Sequence, residues 1–503
     1  MADAVARRIA SALVLVLVLV LGPAALGQDL AQFEKRLTKF TLDNGLTFLV
    51  LERHEAPVIS FHTYTDVGAV DEVKGMTGTA HLFEHMAFKG TRTIGTKDYQ
   101  VEAAVLDKMD VLFDAIKREK RKGDRADPEV LKRLQEQFDE AGQEAQKCIV
   151  HDEYEQVLTQ QGARGFNAYT SEDATQYIVS LPANKLELWM MLEAGRFANA
   201  VLREFYKEKD VVMEERRMME NSPMGRLREE FQGIAYLAHP YGEGVIGHMS
   251  DLQALSRPEA EAFFKAHYSP SNLTIAIVGD VDPAHVRQLA EKYFASIPSG
   301  PKPEPVRTEE PPQRGERRVT VEDAAQPVVL IGYHQPNANH PDSASLEVVW
   351  QIVGVGRTSR LYKDLVKEKK IAVSANARTS SSKYPSLFMF SATPARGHTT
   401  QECEQAIYAQ IEKLQTEPVS AQELAKAKTR NRAGLIREMD SNSGLATELT
   451  FYEVVTGDWR NLFKQLDKIE QVTAADVQRV AKTYFTKKNR TVGVIETASG
   501  ASR

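Results

Sequence analysis

Cysteine is almost absent from this sequence: Cys148 and Cys403 are the only two among 503 residues. A zinc site built of thiolates needs more than two, so a metal here would have to rest on histidine and carboxylate ligands. One disulfide would be possible, but a chain of this size does not need it, and both cysteines read as free and structural. A surplus of charge of one sign is also missing. The 63 basic and 69 acidic residues leave a formal net charge of -6, which offers no footprint for nucleic acid. Beyond Leu21 no apolar run is long enough to cross a bilayer, so no stable membrane span is expected. What is present is an ordinary mixture, 42% hydrophobic and 26% charged. That excludes a chain disordered throughout, and the length calls for two or more domains.

Residues 1–27 read as an export signal. Arg7 and Arg8 precede an apolar run from Ile9 to Leu21, Gly22 and Pro23 break it, and Ala25-Leu26-Gly27 places small residues where a signal peptidase reads. Cleavage is expected before Gln28, and the mature chain is expected to be periplasmic or secreted.

Phe40 to Val70 reads as two strands with a turn signal at Asn44-Gly45. Tyr99 to Glu155 is mostly charged and helical in pattern, broken between Gly123 and Pro128, which gives an antiparallel helical hairpin whose faces are expected to be solvated. Gly162 to Leu181 returns to strand character. Lys185–Asn199 and Leu202–Asn221 read as helices, Leu273–Val278 as a buried strand, and Pro283–Phe294 as a helix. Ser299 to Gly315 holds Pro301, Pro303, Pro305, Pro311 and Pro312 among charges, a semi-extended linker not expected to pack. It divides the mature chain into an N-terminal domain, residues 28–300, and a C-terminal domain, residues 317–503, with residues 301–316 between them. The halves look related. Tyr268-Ser-Pro-Ser-Asn-Leu-Thr-Ile and Tyr484-Phe-Thr-Lys-Lys-Asn-Arg-Thr-Val both follow a helix and lead into an apolar strand, which points to a duplicated α+β domain.

Zinc with neutral imidazole ligands favours two histidines four residues apart on one helix face. His81 and His85, in His81-Leu82-Phe83-Glu84-His85, have that spacing. Glu84 falls beside them, where a carboxylate can take a proton from an attacking water and hand it to a leaving amine. The order is the reverse of the H-E-x-x-H helix. The bland alternative is a helix with two solvated or capped histidines; the small residues Gly78-Thr79-Ala80 and the apolar Leu82 and Phe83 favour a packed helix instead. A third ligand should be a carboxylate on another helix. In Leu202–Asn221, Val211, Val212, Met218 and Met219 form an apolar stripe at helical spacing, and Glu208 and Glu215 fall on it. Carboxylates on a core-facing stripe are costly unless paired or bound to metal. Glu215 is therefore the candidate ligand and Glu208 the supporting acid behind it, against the alternative that both lie half-exposed at the stripe edge.

These residues belong to longer stretches. Gly78-Thr-Ala-His-Leu-Phe-Glu-His-Met-Ala-Phe-Lys-Gly-Thr91 resembles the signature of the pitrilysin/insulinase metallopeptidases, which include the mitochondrial processing peptidases. The resemblance continues at Phe166-Asn-Ala-Tyr-Thr-Ser171, at Glu208-Lys-Asp-Val-Val-Met-Glu-Glu215 and, past the linker, at Gly356-Arg-Thr-Ser-Arg-Leu-Tyr362. It implies two homologous α/β-sandwich domains facing each other as a clamshell, with the helical hairpin inserted in the first. It implies one zinc ion held by His81, His85 and Glu215, with Glu84 as general base and Glu208 as a supporting acid. It implies a peptide or unfolded polypeptide substrate that adds as a strand to a sheet edge, touching Asn167 and Ala168. The expected activity is that of a zinc endopeptidase. The alternative is a non-catalytic peptide-binding or assembly subunit of a heterodimer, whose relatives usually lose zinc ligands; none is missing here. Two departures stand out. The hairpin lengthens the stretch between His85 and Glu215. The Arg and Tyr that the second domain often contributes are not found at a fitting spacing: Arg378 and Tyr384 read as structural, and a homodimer or a related partner chain could supply the pair.

Overall fold

The computed structural model describes residue 30 and residues 33–497; the export signal expected over residues 1–27 lies outside the described residues. Six strands form the first sheet: β1 (Leu37–Thr41), β2 (Thr47–Glu52), β3 (Val58–Thr65), β4 (Arg164–Thr170), β5 (Thr175–Pro182) and β6 (Leu273–Gly279). Their order is β1-β2-β6-β3-β5-β4, antiparallel except for β2 with β6. Five more form the second: β7 (Arg317–Asp323), β8 (Val328–Gln335), β9 (Ala372–Arg378), β10 (Ser386–Pro394) and β11 (Arg490–Thr497). Their order is β7-β11-β8-β10-β9, antiparallel except for β7 with β11. Five strands of the first sheet thus repeat in the second with the same order and directions, which establishes the duplication. The Asn44-Gly45 turn joins β1 to β2, so the region read as two strands holds three.

The helices that matter here are α1 (Thr79–Met86), α2 (Tyr99–Lys120), α3 (Pro128–Cys148), α4 (Phe205–Asn221), α5 (Pro223–Ala235) and α6 (Asn442–Thr456). Strand β6 is buried along its whole length, so both faces of the first sheet need cover. One face takes α1 and neighbouring helices, where Phe61 stacks on Trp189 with ring centroids 4.1 Å apart. The other takes α6 from the far end of the chain, whose Leu445, Ala446 and Leu449 pack on Leu49, Leu51, Ala276 and Val278. Inside that contact the Thr450 hydroxyl bonds His62 Nδ1 at 2.6 Å; burial holds His62 neutral, its pKa lowered to about 3. The second sheet is covered reciprocally by α5, from the first half. Phe231 of α5 lies against Gly332 and Gly493, where a Cβ would come within 3 Å of its ring.

Two expectations change. The α2–α3 hairpin begins at aspartate caps, Asp98 and Asp127, with Pro128 in the first turn as expected. It is not solvated on both faces: Leu106, Met109, Ala141 and Ala145 are buried, and Phe113 and Phe138 pack on Tyr206 of α4. The proline-rich segment has no regular structure, yet it is fastened: Glu310 accepts from the amides of Leu237, Ala238 and His239, and the buried Gln313 donates to the Arg490 carbonyl. Extended proline-rich backbone leaves its polar groups free for neighbours to satisfy. Cys148 and Cys403 are both buried and free.

Candidate metal centre

Helix α1 starts where its sequence allows a sharp entry. Gly78 has φ of 86°, and a Cβ there would approach the Ile246 carbonyl oxygen to 2.5 Å, so only glycine fits. The Glu72 carboxylate accepts from the amides of Gly78 and Ala80, both at 2.7 Å, filling donors that the first turn leaves open. Burial raises the Glu72 pKa to about 8 in spite of those bonds. On the inner face Leu82 and Phe83 are buried, and Phe83 stacks on Phe264 at 4.3 Å. The opposite face presents His81, Glu84 and His85.

Helix α4 crosses α1 and brings up its acids. His81 Nε2 and His85 Nε2 lie 3.7 and 3.8 Å from Glu215 Oε2, and one ligand atom from each of these three residues falls within 4.8 Å of the others. Those separations are too long for hydrogen bonds. They suit donors around one cation, since tetrahedral bonds of about 2.1 Å put ligand atoms about 3.4 Å apart. Two imidazoles and one carboxylate are the donor set of a catalytic zinc with an open position. Glu208 Oε2 lies 3.5 Å from His85 Nδ1, and the Glu208 carboxylate also pairs with the Lys89 ammonium. The stripe argument that singled out the two acids needs correction: Val212 is buried, but Val211 is 42% and Met218 59% exposed. The face of α4 that carries Glu208 and Glu215 therefore opens toward the site instead of facing the core.

The electrostatics separate the groups. Burial, helped by His85 nearby, lowers the His81 pKa to about 4 and keeps this imidazole neutral, the form that binds metal. Burial also pushes His85 down, but Glu208, Glu215 and Glu84 outweigh it and raise the net value. Burial alone would raise Glu208; the bonds to His85 and Lys89 overcome it and hold the acid at about 2. Glu84 is raised, chiefly by burial, against the bond it accepts from the Thr170 hydroxyl at 2.7 Å. Asn167 and Ala168 lie on β4, the outermost strand of the sheet, with the Asn167 side chain exposed and Ala168 buried. Tyr384 is committed elsewhere: it packs on His239 and Tyr241, and its hydroxyl accepts from the Val306 amide. Sequence reasoning missed Glu72, Lys89 and Thr170. For Lys89 and Thr170 the signal was available, since both lie inside the quoted motifs.

A sequence profile described as insulinase (peptidase family M16) matches residues 48–116 and 145–248, and one described as the peptidase M16 inactive domain matches residues 254–431. The chain belongs to the insulinase family. The gap between the two segments of the insulinase match, residues 117–144, falls within the α2–α3 hairpin, whose two ends lie inside the match. Among insulinase-family relatives, the zinc protease PqqE of Helicobacter pylori is 27% identical over 454 residues, spanning 88% of this chain and 89% of that protein. The crystal structure of a protease from Helicobacter pylori superposes with a TM-score of 0.77 at 27% identity, over 92% of this chain and 99% of that one. A peptidase M16 inactive domain from Pseudomonas fluorescens shares the fold, with a TM-score of 0.72 at 16% identity over 92% and 98% of the two chains.

Proposed function

We propose that this chain is a zinc-dependent endopeptidase that hydrolyses extended peptides or unfolded polypeptide segments. The observation that carries the reading is the convergence of His81, His85 and Glu215, with Glu84 alongside on the same helix face. A zinc ion held by those three residues would supply Lewis acidity and a readily deprotonated water. Glu84, its affinity for protons raised by burial, takes the proton of the attacking water and returns it to the leaving amine. Glu208 holds the His85 ring through Nδ1. The edge of β4 at Asn167 and Ala168, unpaired among the described residues, offers main-chain partners to an incoming strand, which favours extended over folded substrates.

On this reading residues 28–300 carry the chemistry and residues 317–503, past the 301–316 linker, are non-catalytic. The export signal at residues 1–27 would place the mature enzyme in the periplasm or outside the cell; among the described residues no helix is long and apolar enough to cross a membrane. With Tyr384 occupied, an Arg/Tyr pair at the scissile carbonyl would come from a second copy or a related chain. The intact metal set argues against a purely non-catalytic subunit. The test is metal analysis of the mature chain by mass spectrometry together with Glu84→Gln. One zinc per chain and a fall in peptide hydrolysis of about 10²–10⁴ with zinc retained are expected; undiminished hydrolysis by pure Glu84→Gln protein would refute the proposal.

A further inference from the structure

We infer that Thr170 is a positioning residue for Glu84, tying the reacting carboxylate to the strand on which the peptide pairs; this rests on the hydrolytic reading above. The Thr170 hydroxyl donates to Glu84 Oε2 at 2.7 Å, and among the described residues it is the one side-chain donor to that carboxylate. A carboxylate torsion is broad and roughly two-fold, so Glu84 on its own helix has no fixed aim. Engaging Oε2 sets the plane and leaves Oε1 to accept from water.

The anchor is rigid on both sides. Thr170 ends β4, paired with Thr175 of β5, and Ala168 is paired with Tyr177. The chain then turns tightly: Ser171 N donates to the Ala174 carbonyl at 2.8 Å, and Ser171 Oγ accepts from the Ala174 amide at 3.1 Å. That turn is itself pinned by Ala69 and Val70, whose amides donate to the carbonyls of Ser171 and Glu172. The β-branched threonine adds a stiff χ1. Among the described residues the other edge of β4 is unpaired, so the element that registers the peptide also aims the base. Base and scissile bond are thereby referenced to one strand, where a misplacement of about 1 Å costs about 10²-fold in rate.

The test compares Thr170→Val, which keeps the shape and loses the donor, with Thr170→Ser, which keeps the donor and loses the methyl. In Thr170→Val, kcat should fall about 10–100-fold, with KM within about twofold, zinc content unchanged and peptide affinity of the zinc-free protein unchanged by calorimetry. Thr170→Ser should recover most of kcat. Added to Glu84→Gln, the valine change should lower the residual rate no further. Wild-type kcat in Thr170→Val, a loss confined to KM, loss of zinc, or a serine variant as poor as the valine one would each overturn the assignment. If the valine variant does not fold, Thr170→Ala against Thr170→Ser carries the same comparison. Wild-type kcat in Thr170→Val beside an inactive Glu84→Gln defeats this inference alone, whereas an active Glu84→Gln defeats the proposed function.

Discussion

Glu208 reaches the candidate site only through another side chain: it stands 3.5 Å behind His85 Nδ1 and is itself held by Lys89. An imidazole whose far nitrogen is engaged keeps its tautomer and ring plane, and removing such a partner weakens metal binding by about 10–100-fold. Glu208→Gln should therefore bind zinc that much more weakly in competition with a chelator, while thermal stability changes little. The two histidines differ here: among the described residues His81 Nδ1 is buried without a hydrogen-bond partner.

The α2–α3 hairpin is joined to the site by a buried ion pair. Arg203 donates to Glu102 of α2 through Nε at 2.8 Å and Nη2 at 3.1 Å. It also donates to the carbonyls of Thr91 and Ile94, in the loop that follows α1. Both side chains are fully buried, so Arg203→Ala strands a charge and several carbonyls and should cost about 3–5 kcal/mol by urea denaturation. Arg203→Lys should not restore it, because an ammonium cannot span the same fork of acceptors. At this scale the sequence was partly legible. His81, Glu84 and His85 could be read because helical spacing alone sets them on one face, and Pro128 announced the start of α3. Glu215 was chosen for an incomplete reason, since exposed Val211 and Met218 mimic a core stripe when only periodicity is seen. Glu102–Arg203 was illegible because the two residues meet only through tertiary packing, and the hairpin's abundant charge hid the apolar face it buries.

In the whole molecule, each half lends a helix to the other's sheet. Leu227 of α5 packs with Val328, Leu330 and Ile495, and Leu449 of α6 packs with Leu49, Leu51 and Val278. Truncating either leucine to alanine should cost about 2–5 kcal/mol. Leu449→Ala should destabilise the first half, in which it does not lie in sequence, as much as the second. Hydrogen exchange in β2 and β6 checks this: protection that falls only within residues 317–497 would contradict it. The continuous apolar runs of β2 and β6 demanded cover on both faces, but nothing local to them named α6 as the cover. The exchange also constrains the order of events during synthesis. Domains generally fold as they emerge, yet the outer face of the first sheet stays bare until residues 442–456 leave the ribosome. For most of translation the nascent N-terminal half would present that apolar surface to whatever chaperone accompanies it.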